Sequence, residues 1–204
     1  MKDLETLIEN LRLTRFHLYG HSFGGIVAFE YLKQVAEQER LTGKKKDYEC
    51  VSTILSSSPS SIPLVERDSR LLLDGLLETD SNQSTLADRF HKMHQCRTKT
   101  MPSPLLDAYA LKGKVWCETS DLADYVAEPL PKDKLDLKMP PVLVLRGEHD
   151  FISSECAQRW VSLFPHNDVT LKTLSECSHH ALLENEQMYG DVINEFIASK
   201  EFHL

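Results

Sequence analysis

The sequence predicts an α/β chain: a mostly parallel sheet flanked by helices, with a helical insertion over the sheet. Three observations predict it. Apolar stretches of strand length alternate along the chain with stretches of helical periodicity. Val142-Leu143-Val144-Leu145 is apolar at every position, the pattern of a strand covered on both faces. Residues 64–138 carry helical patterns and prolines but no clear strand.

Leu4, Leu7, Ile8 and Leu11 recur at helical spacing, which predicts a short amphipathic helix over 3–12. Arg15–Tyr19 is a brief apolar, aromatic stretch of strand length. From Gly24 the helical pattern returns, through Ile26, Val27, Phe29, Tyr31, Leu32 and Val35 to a charged end at Glu37–Arg40. Thr42–Asp47 is polar loop, and β-branched Cys50–Leu55 predicts a buried strand. Ser56–Pro63 is a Ser/Pro-rich break.

Leu64–Leu77 and Thr85–His94 predict helices; Pro102 and Pro104 interrupt, and Pro129 and Pro131 close the insertion. After the 142–145 strand, Gly147–Phe151 is a turn. Ser153–Phe164 is a helix with Ser153 as N-cap and Glu155 in its first turn. Val169–Leu174 alternates as a strand. Asn185–Lys200 closes the chain as a helix with Met188, Val192, Ile193, Phe196 and Ile197 on one face. The predicted core is therefore 1–63 with 139–204, and the cap is 64–138.

Composition narrows the function. The chain has 204 residues, 41% hydrophobic and 26% charged, with a formal net charge of −8. That balance argues against nucleic-acid binding, which rewards Lys and Arg. The basic run Lys44-Lys45-Lys46 reads as a solvated loop tip. No apolar run approaches the ~18–20 residues of a membrane span, and Met1–Glu5 begins no signal peptide, so a membrane partner is not expected. The five cysteines form no C-x-x-C, as for reduced thiols in a cytoplasmic setting.

Gly20-His21-Ser22-Phe23-Gly24 fits G-x-S-x-G, between a predicted strand and a predicted helix. A strand that turns abruptly into a helix exposes the serine at the apex, and the glycines permit the close approach. The helix N-terminus supplies backbone N–H groups to a developing oxyanion, with Phe23 N–H the expected donor. A serine needs a base and an orienting acid to act as a nucleophile at neutral pH. Asp150 follows the 142–145 strand, with Glu148 as a rival. His179 and His180 follow the last strand. All lie at the edge where open parallel sheets place functional residues. His149 adjoins Asp150, but these histidines follow no standard zinc spacing; neither a metal nor a cofactor is expected.

GHSFGG, LRGEHD and SHHALLENEQ together resemble the α/β-hydrolase superfamily, over about Lys2 to Phe202. The resemblance implies the α/β-hydrolase fold and the triad order serine, acid, histidine: Ser22, Asp150, His179. Members often carry a glutamate five residues after the catalytic histidine, and Glu184 stands so to His179, not to His180. Relatives that are epoxide hydrolases or dehalogenases use aspartate where this chain has Ser22.

A narrower resemblance is to proline iminopeptidases. It rests on Met93-His94-Gln95-Cys96-Arg97 before Met101-Pro102-Ser103-Pro104, on SSSPSS, and on Asp124-Tyr125. It implies release of an N-terminal proline from a small peptide, with Trp116 and Tyr109 as apolar pocket walls. Two family carboxylates are absent: their places fall near Val115 and at Phe151. Glu118, Asp121 or Glu128 would then hold the substrate amine.

The family reaches its nucleophile only after several strands and helices; here one predicted helix and one strand precede Ser22. The sequence therefore predicts an N-terminally truncated member. It would lack the strand beside Arg15–Tyr19 and the loop that gives a second oxyanion donor. The alternatives are a carboxylesterase of small acyl substrates and a truncated, non-catalytic relative. The oligomeric state stays open.

Overall fold

Strand alternation sorts side chains onto two faces. In β3 (Val142–Gly147) it sends Val142 and Val144 to one face and Leu143 and Leu145 to the other. In β2 (Glu49–Ser56) Leu55 joins the first set and Ile54 the second. Helices α2 (Phe23–Thr42) and α6 (Ser154–Leu163) cover the first face through Ala28, Phe29, Ala157 and Trp160. Helices α7 (Ala181–Glu184) and α8 (Glu186–Glu201) cover the second through Ala181, Tyr189 and Phe196. The computed structural model describes residues 2–78, 85–111, 122–129, 139–164 and 168–201.

The sheet adds β1 (Arg15–His21) and β4 (Val169–Leu174) in the order β1-β2-β3-β4, every pair parallel. The register pairs His21 with Ser56, Ser56 with Leu145, and Gly147 with Leu174. The carboxyl ends of all four strands thus lie along one edge, and the turns after them converge there. Helix α1 (Lys2–Asn10) packs Ile8 against Tyr31 and Leu32 of α2.

The insertion holds α3 (Ile62–Leu77), α4 (Leu86–Phe90) and α5 (Ser103–Ala110). Pro102 and Pro104 stand where the helical run is interrupted, between Gln95 and Ser103, and they also start the next helix: Pro102 is the N-cap of α5, with Pro104 in its first turn. Proline suits that place because the first helical N–H groups have no intrahelical acceptor. The helix expected over 85–94 is capped by reciprocal Thr85–Asp88 hydrogen bonds, then changes at Phe90 to a π-helical turn, His91–Gln95. The Ser/Pro-rich break separates β2 from α3 as expected, and its Ser57, Ser58, Ser60 and Ser61 are buried. Ser60 Oγ donates to the Cys156 carbonyl at 2.6 Å, and Ser61 caps α3.

Cys50, Cys96, Cys156 and Cys177 are free thiols; Cys117 lies outside the described residues. No helix among the described residues is long and apolar enough to cross a membrane.

Trp160 is the anchor of the first face. It is 0% exposed, meets the Phe29 ring edge-on at 4.9 Å, and donates its indole N–H to the Ser58 carbonyl at 2.8 Å. Trp160→Ala should lower unfolding free energy by about 3–5 kcal/mol. Trp160→Phe should cost less, about 1–3 kcal/mol, through the unpaired Ser58 carbonyl. Urea midpoints check both, and equal midpoints for wild type and the alanine variant would refute the anchor.

Candidate active site

β1 ends at His21 and α2 begins at Phe23, so Ser22 alone makes the turn. It does so at φ 52°, ψ −122°, a left-handed φ that strains a residue bearing a Cβ. The glycines explain how the helix comes so close. A Cβ on Gly20 would run into the Gly24 carbonyl, and one on Gly25 into the Ser58 side chain. The turn is pinned from β2: Ser22 N–H donates to the Ser56 carbonyl at 2.8 Å. Phe23 is the first residue of α2, so its N–H is among those a helix leaves without an intrahelical acceptor. The Phe23 side chain is partly exposed, at 39%.

The acid and histidine turns are built against each other. Gly147 ends β3 where any Cβ would meet the Cys177 and Ser178 carbonyls. His149 N–H donates to the Cys177 carbonyl at 2.8 Å, and Glu148 N–H to that of Leu174 at 2.9 Å. Asp150 is buried; its Oδ1 accepts the Ile152 N–H at 2.9 Å and His179 Nδ1–H at 3.0 Å. Burial alone would raise the Asp150 pKa, but the His179 ring and these hydrogen bonds outweigh it and hold the carboxyl below its ordinary range.

Of the rivals, Glu148 faces away and accepts the Glu176 N–H, and His180 contacts Tyr109 rather than an acid. Glu184 fixes the histidine turn: its two oxygens accept the Ser178 N–H at 2.8 Å and the Ser178 Oγ–H at 2.6 Å. The Phe151 ring lies 4.3 Å from that of His179. Among the described residues Ser22 Oγ makes no hydrogen bond to His179. This contact commonly tightens only once substrate is bound.

The insertion reaches the same place. His179 N–H donates to the His94 carbonyl at 3.2 Å, and His180 N–H to that of Gln95 at 2.9 Å. His94 Nδ1–H in turn donates to the His149 carbonyl at 2.8 Å. Tyr109 donates to Gln95 Oε1 at 2.8 Å and lies 3.3 Å from His180 Nε2. Tyr109 therefore borders the site, while Trp116, Glu118, Val115 and Asp121 lie outside the described residues. Glu128 is exposed, and its carbonyl faces Lys33 of α2.

Two features escaped the sequence reading. Arg146 is buried and spends its guanidinium on the carbonyls of Ile152, Glu148 and Asp150, bracing the acid turn. The signal was an arginine closing an otherwise apolar strand. The other is His21, whose ring lies 4.9 Å from that of His179 and 5.3 Å from that of His180. Burial and the neighbouring histidines press the pKa of His21 down to about 3, and that of His180 down to about 4.

The sequence matches the alpha/beta hydrolase family over residues 1–193. A search of curated proteins gave no match. Among solved structures, a proline iminopeptidase from Mycobacterium smegmatis is similar at 22% identity and a TM-score of 0.74, over 97% of this chain and 70% of that one. VinJ is similar at 19% identity and 0.71, over 97% and 70%. The naproxen esterase of Bacillus subtilis is similar at 18% identity and 0.61, over 95% and 64%. With the strand-to-helix turn at Ser22 and the paired acid and histidine turns at one sheet edge, these matches place the chain in the alpha/beta hydrolase family.

Proposed function

We propose that this chain is a serine hydrolase acting by acyl transfer. Ser22 Oγ attacks a substrate carbonyl and its proton passes to His179 Nε2, which returns it to the leaving group. Water then repeats the sequence and releases the acid. Asp150 holds the His179 tautomer, and Phe23 N–H stabilises the oxyanion. One observation carries the reading: the buried hydrogen bond from His179 to Asp150 lies at the sheet edge where Ser22 forms a strained strand-to-helix turn.

For the substrate, we favour release of an N-terminal proline from small peptides. The H-x-C-R segment supports it, because His94 and Gln95 are the cap residues whose carbonyls hold the histidine turn. The Mycobacterium smegmatis structure supports it as a fold likeness. The second reading is a carboxylesterase of small acyl groups. Phe151 favours it, placing an apolar ring on His179 where an amine-binding carboxylate is expected.

A fluorophosphonate probe should label the chain, and Ser22→Ala should abolish labelling; labelling that survives would remove Ser22 as nucleophile. Asp150→Asn should cost on the order of 10⁴ in turnover by favouring the wrong tautomer. Prolyl arylamides and short aryl esters, assayed side by side, separate the substrates: turnover of esters alone would reject the peptidase reading.

The pH profile has a defined shape. A general base accepts a proton only through a free lone pair, so kcat/KM falls on the acid side. His21 and His180, at about 3 and about 4, stay neutral well below neutrality and add no further slope. The acid limb of kcat/KM should fall about tenfold per pH unit, as for a single group. His180→Gln should leave that limb in place. A steeper limb, or one displaced in the variant, would count against the assignment.

A further inference from the structure

We infer that His21, His179 and His180 form a binding site for a borderline divalent transition-metal ion, with Zn²⁺ as the type case, and that occupancy silences the chain. The metal site stands on the three imidazoles; the silencing rests on the reading of His179 as base.

One ring nitrogen of each histidine lies within 4.8 Å of the other two. The ring centroids form a near-regular triangle, 4.9, 5.1 and 5.3 Å on its sides. Two of the three imidazoles have a reason to present a lone pair. His179 commits Nδ1–H to Asp150, which leaves Nε2 as the acceptor. A carboxylate behind a histidine in this way is the usual outer support of a zinc ligand. His21 Nε2 is buried with no hydrogen-bond partner, a desolvated polar atom that coordination would satisfy. His180 is held by the Gln95 carbonyl at its backbone and by Tyr109 at its ring.

Zn–N bonds of about 2.0–2.1 Å in a tetrahedron put ligand nitrogens roughly 3.3 Å apart. Side-chain rotations of His21 and His180, both only partly buried, close the remaining gap. Three histidines leave a fourth position for water. Imidazole ligands favour Zn²⁺, Co²⁺ or Cu²⁺ over Mg²⁺ and Ca²⁺. The other convergent cluster, Glu148, His149 and Glu176, is a weaker candidate, because Arg97 already pairs with Glu176 at 3.1 Å. An ion held by His179 Nε2 takes the lone pair that would receive the Ser22 proton.

The test uses the full chain, stripped with EDTA, then titrated with ZnCl₂ by calorimetry and with CoCl₂ by absorption. About one ion should bind per chain, with the intense visible bands of four-coordinate Co²⁺. His21→Gln and His180→Gln should each weaken binding by roughly tenfold or more, and His149→Gln should not. Zn²⁺ should abolish fluorophosphonate labelling, EDTA should restore it, and His180→Gln should keep labelling at the same Zn²⁺ concentration. Wild-type affinity in both the His21 and His180 variants, or no binding at all, overturns the site. Labelling that persists in Zn²⁺-saturated chain overturns the silencing. A stripped chain that binds Zn²⁺ but never labels refutes the hydrolase reading and leaves the metal site standing.

Discussion

The close approach of the β3 terminus to the Cys177–Ser178 backbone governs the whole site. Gly147 has no side chain where one would strike two carbonyls. That contact lets His149 N–H reach Cys177 and Glu148 N–H reach Leu174, so the acid turn and the histidine turn become one backbone unit. The Asp150–His179 hydrogen bond is a consequence of that unit rather than its cause. A single side-chain bond between two independent loops would carry the entropy of both. Between two turns already locked by main-chain bonds it costs little and keeps its geometry.

Burial of a carboxylate at this junction demands compensation. The chain provides it without a salt bridge to the nearest fixed cation. Arg146 turns its guanidinium to three carbonyls of the turn instead of to the Asp150 carboxylate. An arginine on the carboxylate would compete with His179 for the same oxygens and weaken the hold on the imidazole. As arranged, the cation shapes the loop and the imidazole keeps the acid. Phe151 and the buried wall around His179 exclude water from the pair, which strengthens it further.

The strands were legible because their signals are local. Val142–Leu145 is apolar throughout and is buried on both faces, and Cys50–Leu55 extends by a residue at each end to the observed β2. The triad candidates were legible because motif and chain order agree on the same sheet edge. What escaped the sequence depends on long-range main-chain bonds or on convergence in space. Ser57 to Ser61 read only as a break; the fold delivers them beneath α6, where the Cys156 carbonyl and the Trp160 indole N–H take up polar groups of Ser60 and Ser58. His21 reads as the variable position of a motif, and only the fold sets it beside His179 and His180. The proline pair marked the interruption but not the helix that begins there, because proline opposes a helix interior yet favours its first turn.

The insertion's contribution follows from how its helix ends. Helix termini leave their last carbonyls without intrahelical donors. The π-helical turn His91–Gln95 ends so that the free carbonyls of His94 and Gln95 point at the amides of His179 and His180. The His94 side chain then reaches back to the His149 carbonyl and clamps both turns from above. A cap that only roofed a pocket could shift without disturbing the proposed base. Here any movement of residues 91–95 acts directly on the backbone that carries His179. The segment whose Gln95 side chain accepts from Tyr109 is thus joined by main-chain hydrogen bonds to the backbone of the proposed base.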